Sequence, residues 1–495
     1  MRKNHLFYRG RTLALLAVAA GFIGFSSCAQ DGFDKEKWDN GVYNTQLENP
    51  AADDILITPN ADGTMQTIKW PVVYGGGGYK VLLKNLTTEK TVLDTIMDVT
   101  TITVSRAEDS NYQLEFAVLD NKEHNNTGSS TLIKTFTTFA TADGSIPAGD
   151  LNQWFASNPL PEGKNEVVYD LAEGGSYTLS GKLDFGAQSV TLRSVGENAN
   201  LTTSDGACFV IGNGIKLQNL NIDCTGNKAN ALLLMTDKPS EALSTEALGY
   251  KAKGANQDGY VMTNAVLIKN VNIKNLNKSL IYGNKKPWSL TSLIINNCMI
   301  QLDNGDNGSS LINMYGGGNG LIKSLTIKNS TLFNLQKNTN AYVVRYSNGS
   351  AAQPQKIFGI GATATLSLTN NTFANVYTGK DFANNMANTP SITTTLTDNI
   401  FYDVFRIYQF VQTQTVRKTV NNYIWWVQSS KQTNDITRTD SDGNPLCTEA
   451  DPGFPTMDAL KALDFTQQNC GANFTPSGTP LDNKAGDPRW LPTAE

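Results

Sequence analysis

The sequence predicts an all-β protein in which a small β-sandwich precedes a long parallel β-helix. Short alternating apolar runs, separated by turn residues, fill the region between about residues 53 and 139. A strand–Asn–strand unit then recurs down the chain. Only 17% of the 495 residues are charged and 42 are glycine, a composition typical of β-rich extracellular scaffolds with many turns. These three observations define the fold class.

Composition also excludes several kinds of function. The net charge of −5 implies no broad basic face, so nucleic acid is excluded as a partner. The chain has two histidines, His5 and His124, and His5 falls in the N-terminal targeting segment. Histidine-based acid–base or metal chemistry is therefore not expected, and no metal site is predicted.

The N-terminus is predicted to be a signal peptide, residues 1–27. Arg2, Lys3, Arg9 and Arg11 precede an uncharged apolar run from Thr12 to Phe25. A membrane span needs about 20 residues, so this run is too short to be one. No later stretch is apolar enough to span a bilayer.

The apolar run ends in Phe25-Ser26-Ser27-Cys28, which resembles the lipobox of bacterial lipoproteins. That resemblance implies a lipid on Cys28. The alternative is an ordinary secreted chain with Cys28 in a disulfide. Residues 28–48 form a tether, and its acidic start resembles the surface-export signal of glycan-degrading Gram-negative bacteria. The implied location is the outer membrane, lipid-anchored and facing outward.

Residues 49–141 are predicted to form the sandwich. Trp70, a turn from Gly75 to Gly78, Tyr79 at the start of the next strand, and Tyr112 near the start of a late strand resemble the fibronectin type III family. Such modules act as spacers or docking surfaces, and nothing in this one suggests chemistry.

Residues 142–447 are predicted to form the β-helix, beginning with a helix from Gly149 to Asn158. Leu151, Trp154 and Phe155 share one face of this helix, which would cover the open end of the solenoid. The repeated unit is two strands meeting at an Asn corner, because Asn tolerates the left-handed conformation that a sharp corner requires. The unit recurs at Ile215–Ile222, Val266–Ile273, Leu293–Ile300, Leu325–Leu332, Leu366–Phe373, Leu396–Phe401 and Val420–Ile424.

An Asn at the same corner of successive coils resembles the pectin-lyase-like superfamily of right-handed β-helices. A chain of separate Asn-rich sandwiches is the alternative, and the recurrence of the same corner argues against it. The whole layout resembles an uncharacterised group of bacterial surface lipoproteins that combine a type III module with such a solenoid.

The segment 448–495 loses the repeat and is predicted to be a C-terminal cap, with one short helix from Met457 to Asp464. Cys208, Cys224 and Cys298 fall in apolar strand-like stretches and are expected to be buried. Cys447 and Cys470 lie in loop-rich sequence, and whether they pair stays open.

A third strand follows each corner, and its outward column is the predicted glycan-binding stripe. Side chains alternate along a strand, so the residue after the buried aliphatic one faces outward. That column reads Leu234, Tyr282, Asn313, Arg345 and Tyr408. Tyr rings stack on sugar rings, and Arg can form two parallel hydrogen bonds to a carboxylate. This combination favours an acidic polysaccharide. The predicted glycan-binding residues are Tyr282, Lys285, Trp288, Asn313, Arg345, Arg406 and Tyr408.

Whether the protein is an enzyme is left open. Lyases of the superfamily abstract a proton beside a uronate carboxylate with Arg or Lys, usually with Ca²⁺. Arg345 is the candidate base, and Lys285 and Arg406 are further options. The superfamily's lyase and hydrolase signatures are absent, and Asp303 with Asp306 looks more like a solvated turn than a calcium loop. No cofactor is predicted, and Ca²⁺ enters only for a lyase.

The function predicted from the sequence is therefore a surface lipoprotein that binds an extracellular, uronate-containing polysaccharide through a β-helix groove. The alternatives are a polysaccharide lyase acting by β-elimination and a structural or adhesive surface protein. The partners are the polysaccharide, the outer membrane and other glycan-uptake proteins. The long insertion from Thr236 to Thr263 is expected either to wall the groove or to lie on the surface without order.

Overall fold

The structure is a computed structural model that describes residues 41–59, 65–87, 90–107 and 110–492. The predicted signal peptide and Cys28 lie outside the described residues. Two compact units meet in sequence between Thr141 and Ala142. Among the described residues, no helix is long and apolar enough to cross a membrane.

The first unit is a small antiparallel β-sandwich. One sheet has three strands in the order β1-β2-β5, and the other has four in the order β4-β3-β6-β7. Its core contains Trp70, Tyr79 and Tyr112, and the Tyr112 hydroxyl accepts a hydrogen bond from the Ala107 backbone N–H at 2.8 Å. The strands are β1 (Leu56–Pro59), β2 (Met65–Lys69), β3 (Tyr79–Asn85), β4 (Lys90–Met97), β5 (Thr101–Ser105), β6 (Asn111–Val118) and β7 (Leu132–Thr137).

The second unit is a parallel β-helix, which confirms the predicted fold class. Its strands stack in three parallel columns, here called ladders A, B and C. Ladder A contains β8 (Gly144–Ile146), β10 (Glu166–Leu171), β13 (Ser189–Ser194), the first halves of β16 (Ile215–Asp223) and β19 (Val266–Leu276), β22 (Leu293–Asn296), β25 (Ser324–Lys328), β28 (Ala364–Thr369), β31 (Ile392–Thr397) and β33 (Val416–Val420).

Ladder B runs beside ladder A, one corner further along each coil. It contains β9 (Gly149–Asp150), β11 (Ser176–Leu179), β14 (Ala199–Thr203), the second halves of β16 and β19, β23 (Met299–Leu302), β26 (Thr331–Asn334), β29 (Thr372–Ala374), β32 (Ile400–Tyr402), β34 (Tyr423–Trp425) and β35 (Thr448–Glu449).

Ladder C is the third side of the solenoid. It contains β12 (Lys182–Asp184), β15 (Cys208–Ile211), β17 (Ala231–Met235), β20 (Ser279–Tyr282), β24 (Ile312–Met314), β27 (Val344–Tyr346) and β30 (Ala383–Asn384). Strands β18 (Tyr260–Met262) and β21 (Trp288–Leu290) pair with each other outside the three ladders.

The corners between ladders A and B have the predicted left-handed backbone. In the seven recurring units one residue has φ between +49° and +55°: Asn219, Asn270, Asn297, Asn329, Asn370, Asp398 and Asn421. Six of them are the expected Asn, and the seventh is Asp398. The residue after each corner points inward, and from Ser330 onward these residues hydrogen-bond along the stack. Asn371 Nδ2 donates to Asn399 Oδ1 at 2.9 Å, and Asn399 Nδ2 donates to Asn422 Oδ1 at 2.8 Å. The corner therefore carries a buried polar ladder inside an otherwise apolar core.

Both ends of the solenoid core are covered. At the first coil, helix α1 (Leu151–Ser157) buries Leu151 and Phe155, and Asp150 caps it by accepting from the Gln153 N–H at 2.8 Å. At the last coils, Leu446 and Cys447 join the core, beside the short helix α3 (Thr433–Thr437). The other short helices are α2 (Pro354–Phe358) and α4 (Gly478–Asp482).

The insertion from Thr236 to Thr263 is ordered and packs on the solenoid. Tyr250 makes an edge-to-face contact with Phe358 of α2 at 5.3 Å between ring centroids. The backbone N–H groups of Asn256 and Gln257 both donate to the Lys356 carbonyl at 3.0 Å. The Lys251 ammonium pairs with Asp258 at 2.7 Å. The insertion is thus fixed by α2 rather than lying loose on the surface.

The C-terminal segment differs from the predicted cap because it runs back along ladder B instead of closing the end. We call the described residues 448–492 the strap. Its Phe454, Phe474 and Trp490 share a second core with Met299, Ile400 and other outward residues of ladder B. Within the predicted helix from Met457 to Asp464, one 3₁₀ turn forms, at Met457–Ala459. A strap fits the sequence because its Pro, Gly and Asp residues disfavour a regular element.

The five cysteines of the described residues, Cys208, Cys224, Cys298, Cys447 and Cys470, are buried and free. Cys447 belongs to the solenoid core, whereas Cys470 belongs to the core beneath the strap. Burial raises the pKa of the Cys298 thiol to about 12, which keeps it protonated. These thiols act as small apolar groups.

Candidate functional site

Ladder C aligns most of the predicted outward column in register. Its inward positions are all buried: Leu183, Phe209, Leu233, Ile281, Ile312, Val344 and Ala383. The residue after each of these faces outward. The outward column therefore reads Asp184, Val210, Leu234, Tyr282, Asn313, Arg345 and Asn384.

The column changes from apolar to polar along its length. Val210 and Leu234 are buried beside Cys208, and the Tyr282 ring packs against that cluster while staying partly exposed. Burial raises the pKa of the Tyr282 phenol, so it stays protonated and can donate a hydrogen bond at neutral pH. Asn313, Arg345 and Asn384 continue the column as partly exposed polar groups. Tyr282 thus stands at the boundary between a packed surface and an open polar one.

Arg345 is held by two aromatic rings. Its guanidinium carbon lies 3.7 Å from the centroid of the Tyr315 ring and 5.3 Å from that of Tyr342. Tyr315 is 45% exposed. Cation–π contacts of this kind favour the charged guanidinium and fix its plane. Tyr315, Arg345 and Tyr342 form what we call the arginine clamp.

Neither tyrosine of the arginine clamp was predicted. Tyr315 lies two residues after Asn313, so the alternation that placed Asn313 outward also places Tyr315 on that face. Extending the column by one step along each strand would have found it. Tyr342 lies in the turn that precedes β27, and no periodicity in the sequence marks such a turn residue.

The charge of Arg345 is not neutralised by a carboxylate. Among the described residues, the Arg345 side chain has no ion-pair or hydrogen-bond partner, and its Nε atom is shielded from solvent. Arg406, in contrast, has Nη1 3.3 Å from Asp381 Oδ1 and donates from Nε to Gln432 at 3.2 Å. A fixed cation without an acidic partner is suited to hold an anionic group.

The prediction that Tyr408 continues the column is wrong. Asn384 of β30 takes the next position after Arg345, and the predicted strand around Ile407 is a 3₁₀ turn, Ile407–Gln409. Arg406 adopts φ +53°, which ends any extended strand there. Tyr408 is only 9% exposed, with the Arg438 guanidinium carbon 4.3 Å from its ring centroid. Neither Arg406 nor Tyr408 therefore lies on the column.

Trp288 also differs from its predicted place at the rim. It is fully buried in the solenoid core, and its indole N–H donates to the Thr236 carbonyl at 3.0 Å. Its ring is therefore inaccessible to a sugar. Lys285 is exposed, three residues after Tyr282, with φ +56°. It stays a candidate for the rim of the column.

The two predicted turn carboxylates bind the next coil. Asp306 Oδ1 accepts from the Thr339 backbone N–H at 2.6 Å and its hydroxyl at 3.0 Å, which lowers the pKa of that carboxyl. Asp303 accepts from Gln336 at 2.9 Å. Across the described ranges, no three His, Cys, Asp or Glu side chains group closely enough to suggest a metal site.

A buried carboxyl group supports the end of the solenoid beside Tyr408. Asp435 has no exposed surface, and its Oδ1 accepts from the Tyr408 backbone N–H at 2.8 Å, whereas Oδ2 has no partner among the described residues. Burial raises the pKa of Asp435 to about 7. The backbone N–H groups of Tyr408 and Ile407, together with Arg438 and Arg406, act in the opposite direction. Ionisation of Asp435 therefore destabilises the folded protein, and this effect depends on pH.

Stability should fall as the pH rises from about 4 through 7, because the unfolded carboxyl loses its proton before the folded one does. The loss is at most about 4 kcal/mol. Asp435→Asn should remove this dependence. The gain in free energy of unfolding over the native protein should be larger at about pH 8 than at about pH 5. Urea unfolding at both values measures this. Asp442→Asn, at an exposed carboxylate, is the control; an equal gain at both values would refute the assignment.

Comparisons with known proteins leave the function open. Two family models match, both described as domains of unknown function: DUF4992 over residues 1–179 and DUF4957 over residues 175–335. No curated protein matches the chain. A solved structure, the pectate lyase PelI from Erwinia chrysanthemi, is similar with 10% identity over 68% of this chain and 88% of that chain, at a TM-score of 0.16. The fold described above rests on strand pairing and not on that likeness.

Proposed function

We propose that this protein is a cell-surface lipoprotein that binds an extracellular, uronate-containing polysaccharide along the outward column of ladder C. The observation that carries the proposal is the arginine clamp, in which Arg345 is stacked on Tyr315 and has no carboxylate partner among the described residues. Stacking occupies the face of a guanidinium and leaves its N–H edge for a carboxylate. A uronate supplies that carboxylate.

The rest of the column suits the hydroxyl groups and ring faces of a sugar chain. Asn313 and Asn384 flank Arg345 on the neighbouring coils, and Tyr282 lies one coil beyond Asn313. Coils are spaced by about 4.8 Å, so these four side chains span roughly 14 Å. The partly exposed ring of Tyr282 and the exposed ring of Tyr315 offer stacking surfaces. This length fits a short run of sugar residues rather than a single one.

Binding is favoured over cleavage by the surroundings of Arg345. A base for β-elimination has to be uncharged when it accepts the proton. A guanidinium is a cation in proteins, and at Arg345 two aromatic rings contact it from the side. The arginine clamp is therefore better suited to hold a carboxylate than to abstract a proton.

Arg345→Ala should abolish retention of acidic polysaccharides, because it removes the cation that pairs with the uronate. Affinity electrophoresis in gels that contain pectin, alginate or a glycosaminoglycan measures this, with parallel recording of the ultraviolet absorbance of unsaturated uronates. Arg417→Ala, on ladder A, removes the same charge from another face and should keep retention. Absorbance growth that depends on Arg345 would favour a lyase, and absence of both retention and absorbance growth would refute the proposal.

The lipid anchor is part of the proposal. Cys28 follows an apolar run and two serines, and an acidic tether follows it. The type III-like sandwich would then act as a spacer between the membrane and the solenoid, and glycan-uptake proteins would be the neighbours at the surface.

Cys28→Ala should abolish incorporation of labelled palmitate and release the protein from the outer-membrane fraction, because the lipid is the anchor. Ser27→Ala keeps a small residue before the cysteine and is the control. Labelling that persists in Cys28→Ala would contradict the anchor without bearing on the glycan site.

A further inference from the structure

The outward face of ladder B changes its chemistry halfway along the solenoid. In register from coil to coil, the same position is occupied first by Asn200, Asn221 and Asn272 and then by Met299, Thr331, Thr372, Ile400 and Tyr423. The strap covers the second part, where Met299 and Ile400 join its apolar core. The amide-bearing part lies beyond the edge of the strap.

A polar cleft of about 440 Å³ lies at this edge. On the solenoid side it is lined by asparagines that include Asn221, Asn272 and Asn297, and on the strap side by Phe465, Asn469 and Arg489. Phe465 is partly exposed and Asn469 is exposed. The wall thus combines one aromatic ring with several carboxamides, which is the side-chain chemistry that contacts sugar rings and hydroxyls.

The amide ladder ends at Asn272 with unused hydrogen-bonding capacity. Asn272 Nδ2 donates to Asn221 Oδ1 at 2.8 Å, and Asn221 Nδ2 donates to Asn200 Oδ1 at 3.0 Å. The next coil has Met299, which cannot continue the chain of amides. Among the described residues, Asn272 Oδ1 has no donor, and one Nδ2 hydrogen has no acceptor. A hydroxyl group can use both.

On the strap side of the cleft, Arg489 is held in place by hydrogen bonding and its charge is paired with a carboxylate. Arg489 Nη2 donates to Asn297 Oδ1 at 2.8 Å, and Nε lies 2.9 Å from the carboxylate of Asp487. Asn469 and Cys470 both adopt a left-handed backbone with φ +50°, which is unfavourable for Cys, and the buried Cys470 side chain anchors that turn in the strap core. The turn places Asn469 at the cleft, so the strap shapes this wall.

We propose that this cleft is a second saccharide site, distinct from the outward column of ladder C, and that it takes an uncharged glycan. The Arg489 charge is already matched by Asp487, so the cleft offers no excess cation to a uronate. Its free groups are the acceptor and donor of Asn272, the amide of Asn469 and the ring of Phe465, which suit hydroxyls and a sugar face. The two sites thus recognise sugars of different charge.

Affinity electrophoresis with uncharged polysaccharides tests the second site. The probes are xyloglucan, galactomannan, arabinoxylan and mixed-linkage β-glucan. At least one should retard the native protein, and Asn272→Ala should weaken that retention roughly tenfold, since two hydrogen bonds are lost. Phe465→Ala should weaken it as well. Asn200→Ala, in the same ladder but outside the cleft, should keep it, provided that all variants unfold at the native temperature.

Arg345→Ala separates this proposal from the previous one. It should keep the retention by uncharged polysaccharides, and Asn272→Ala should keep the retention by acidic ones. The second site is refuted if no uncharged polysaccharide retards the native protein. It is also refuted if Asn272→Ala binds like the native protein, or if Asn200→Ala or Arg345→Ala loses the uncharged ligand equally.

Discussion

Asn399→Ala is expected to lower the free energy of unfolding by roughly 3 to 5 kcal/mol. Asn399 has no exposed surface, and its side chain makes four hydrogen bonds. Its Nδ2 donates to the Leu368 carbonyl and to Asn422 Oδ1, both at 2.8 Å, and its Oδ1 accepts from the backbone and side-chain nitrogens of Asn371 at 3.1 and 2.9 Å. Alanine leaves these buried partners unsatisfied on two coils.

Urea unfolding followed by circular dichroism measures this loss, and the slope of the transition shows whether the solenoid still unfolds as one unit. Asn434→Ala is the control, because Asn434 is exposed on the short helix α3. A loss under about 1 kcal/mol would mean that water replaces the missing amide and that the buried ladder is not a major source of stability.

Trp490→Ala should release the strap from ladder B, at a cost of roughly 3 to 5 kcal/mol. Trp490 is 5% exposed, and its ring centroid lies 5.9 Å from that of Phe474 in an edge-to-face contact. Its indole N–H donates to Thr331 Oγ1 at 2.7 Å, and that hydroxyl donates to Asp487 Oδ2 at 2.7 Å. The indole therefore joins the apolar core of the strap to its polar contact with the solenoid.

Limited proteolysis and hydrogen exchange detect the release, because strap residues 448–492 should become sensitive while ladders A and C stay protected. The control is Leu491→Ala, at the next residue, which is only partly buried. If Trp490→Ala were digested like the native protein, contacts other than those of Trp490 would hold the strap on ladder B.

The corners of the solenoid could be predicted because they depend on local backbone chemistry. A left-handed residue between two strands needs Asn, Asp or Gly, and that requirement recurs at the same place in each coil. One unit differs from the expected Asn, because its left-handed residue is Asp398, with φ +53°. The inward ladder that follows, from Ser330 to Asn422, was not predicted at its positions, since the direction of a side chain after a corner depends on the coil stacking.

The outward column of ladder C could be predicted only where a large aliphatic residue marks the inward position. Such a residue is present at Leu233, Ile281, Ile312 and Val344. At the next coil the inward position is the small Ala383, and the neighbouring Phe382 fills the core, so the sequence pattern pointed to Ile407 instead. Neighbouring residues of one coil fill the core together, so the residue type at a single aligned position does not reveal the strand.

The strap and Trp288 depend on contacts between residues far apart in sequence. Trp490 contacts Thr331, and Trp288 donates to Thr236 across a long insertion. Both tryptophans lie next to charged or loop-forming residues, which gives them the local pattern of a surface. Their burial follows from where the insertion and the strap return to the solenoid, and no periodicity encodes that return.

Binding of a uronate carboxylate by Arg345 can be tested by a thermodynamic cycle between protein and ligand. Calorimetry would compare a defined oligouronate with the same oligosaccharide after its carboxyl groups are reduced to alcohols, each against the native protein and Arg345→Ala. If Arg345 holds the carboxylate, either change alone should weaken binding by roughly tenfold to a hundredfold, and both changes together should weaken it little more than one. Losses that simply add would show that the carboxylate is held elsewhere on the protein.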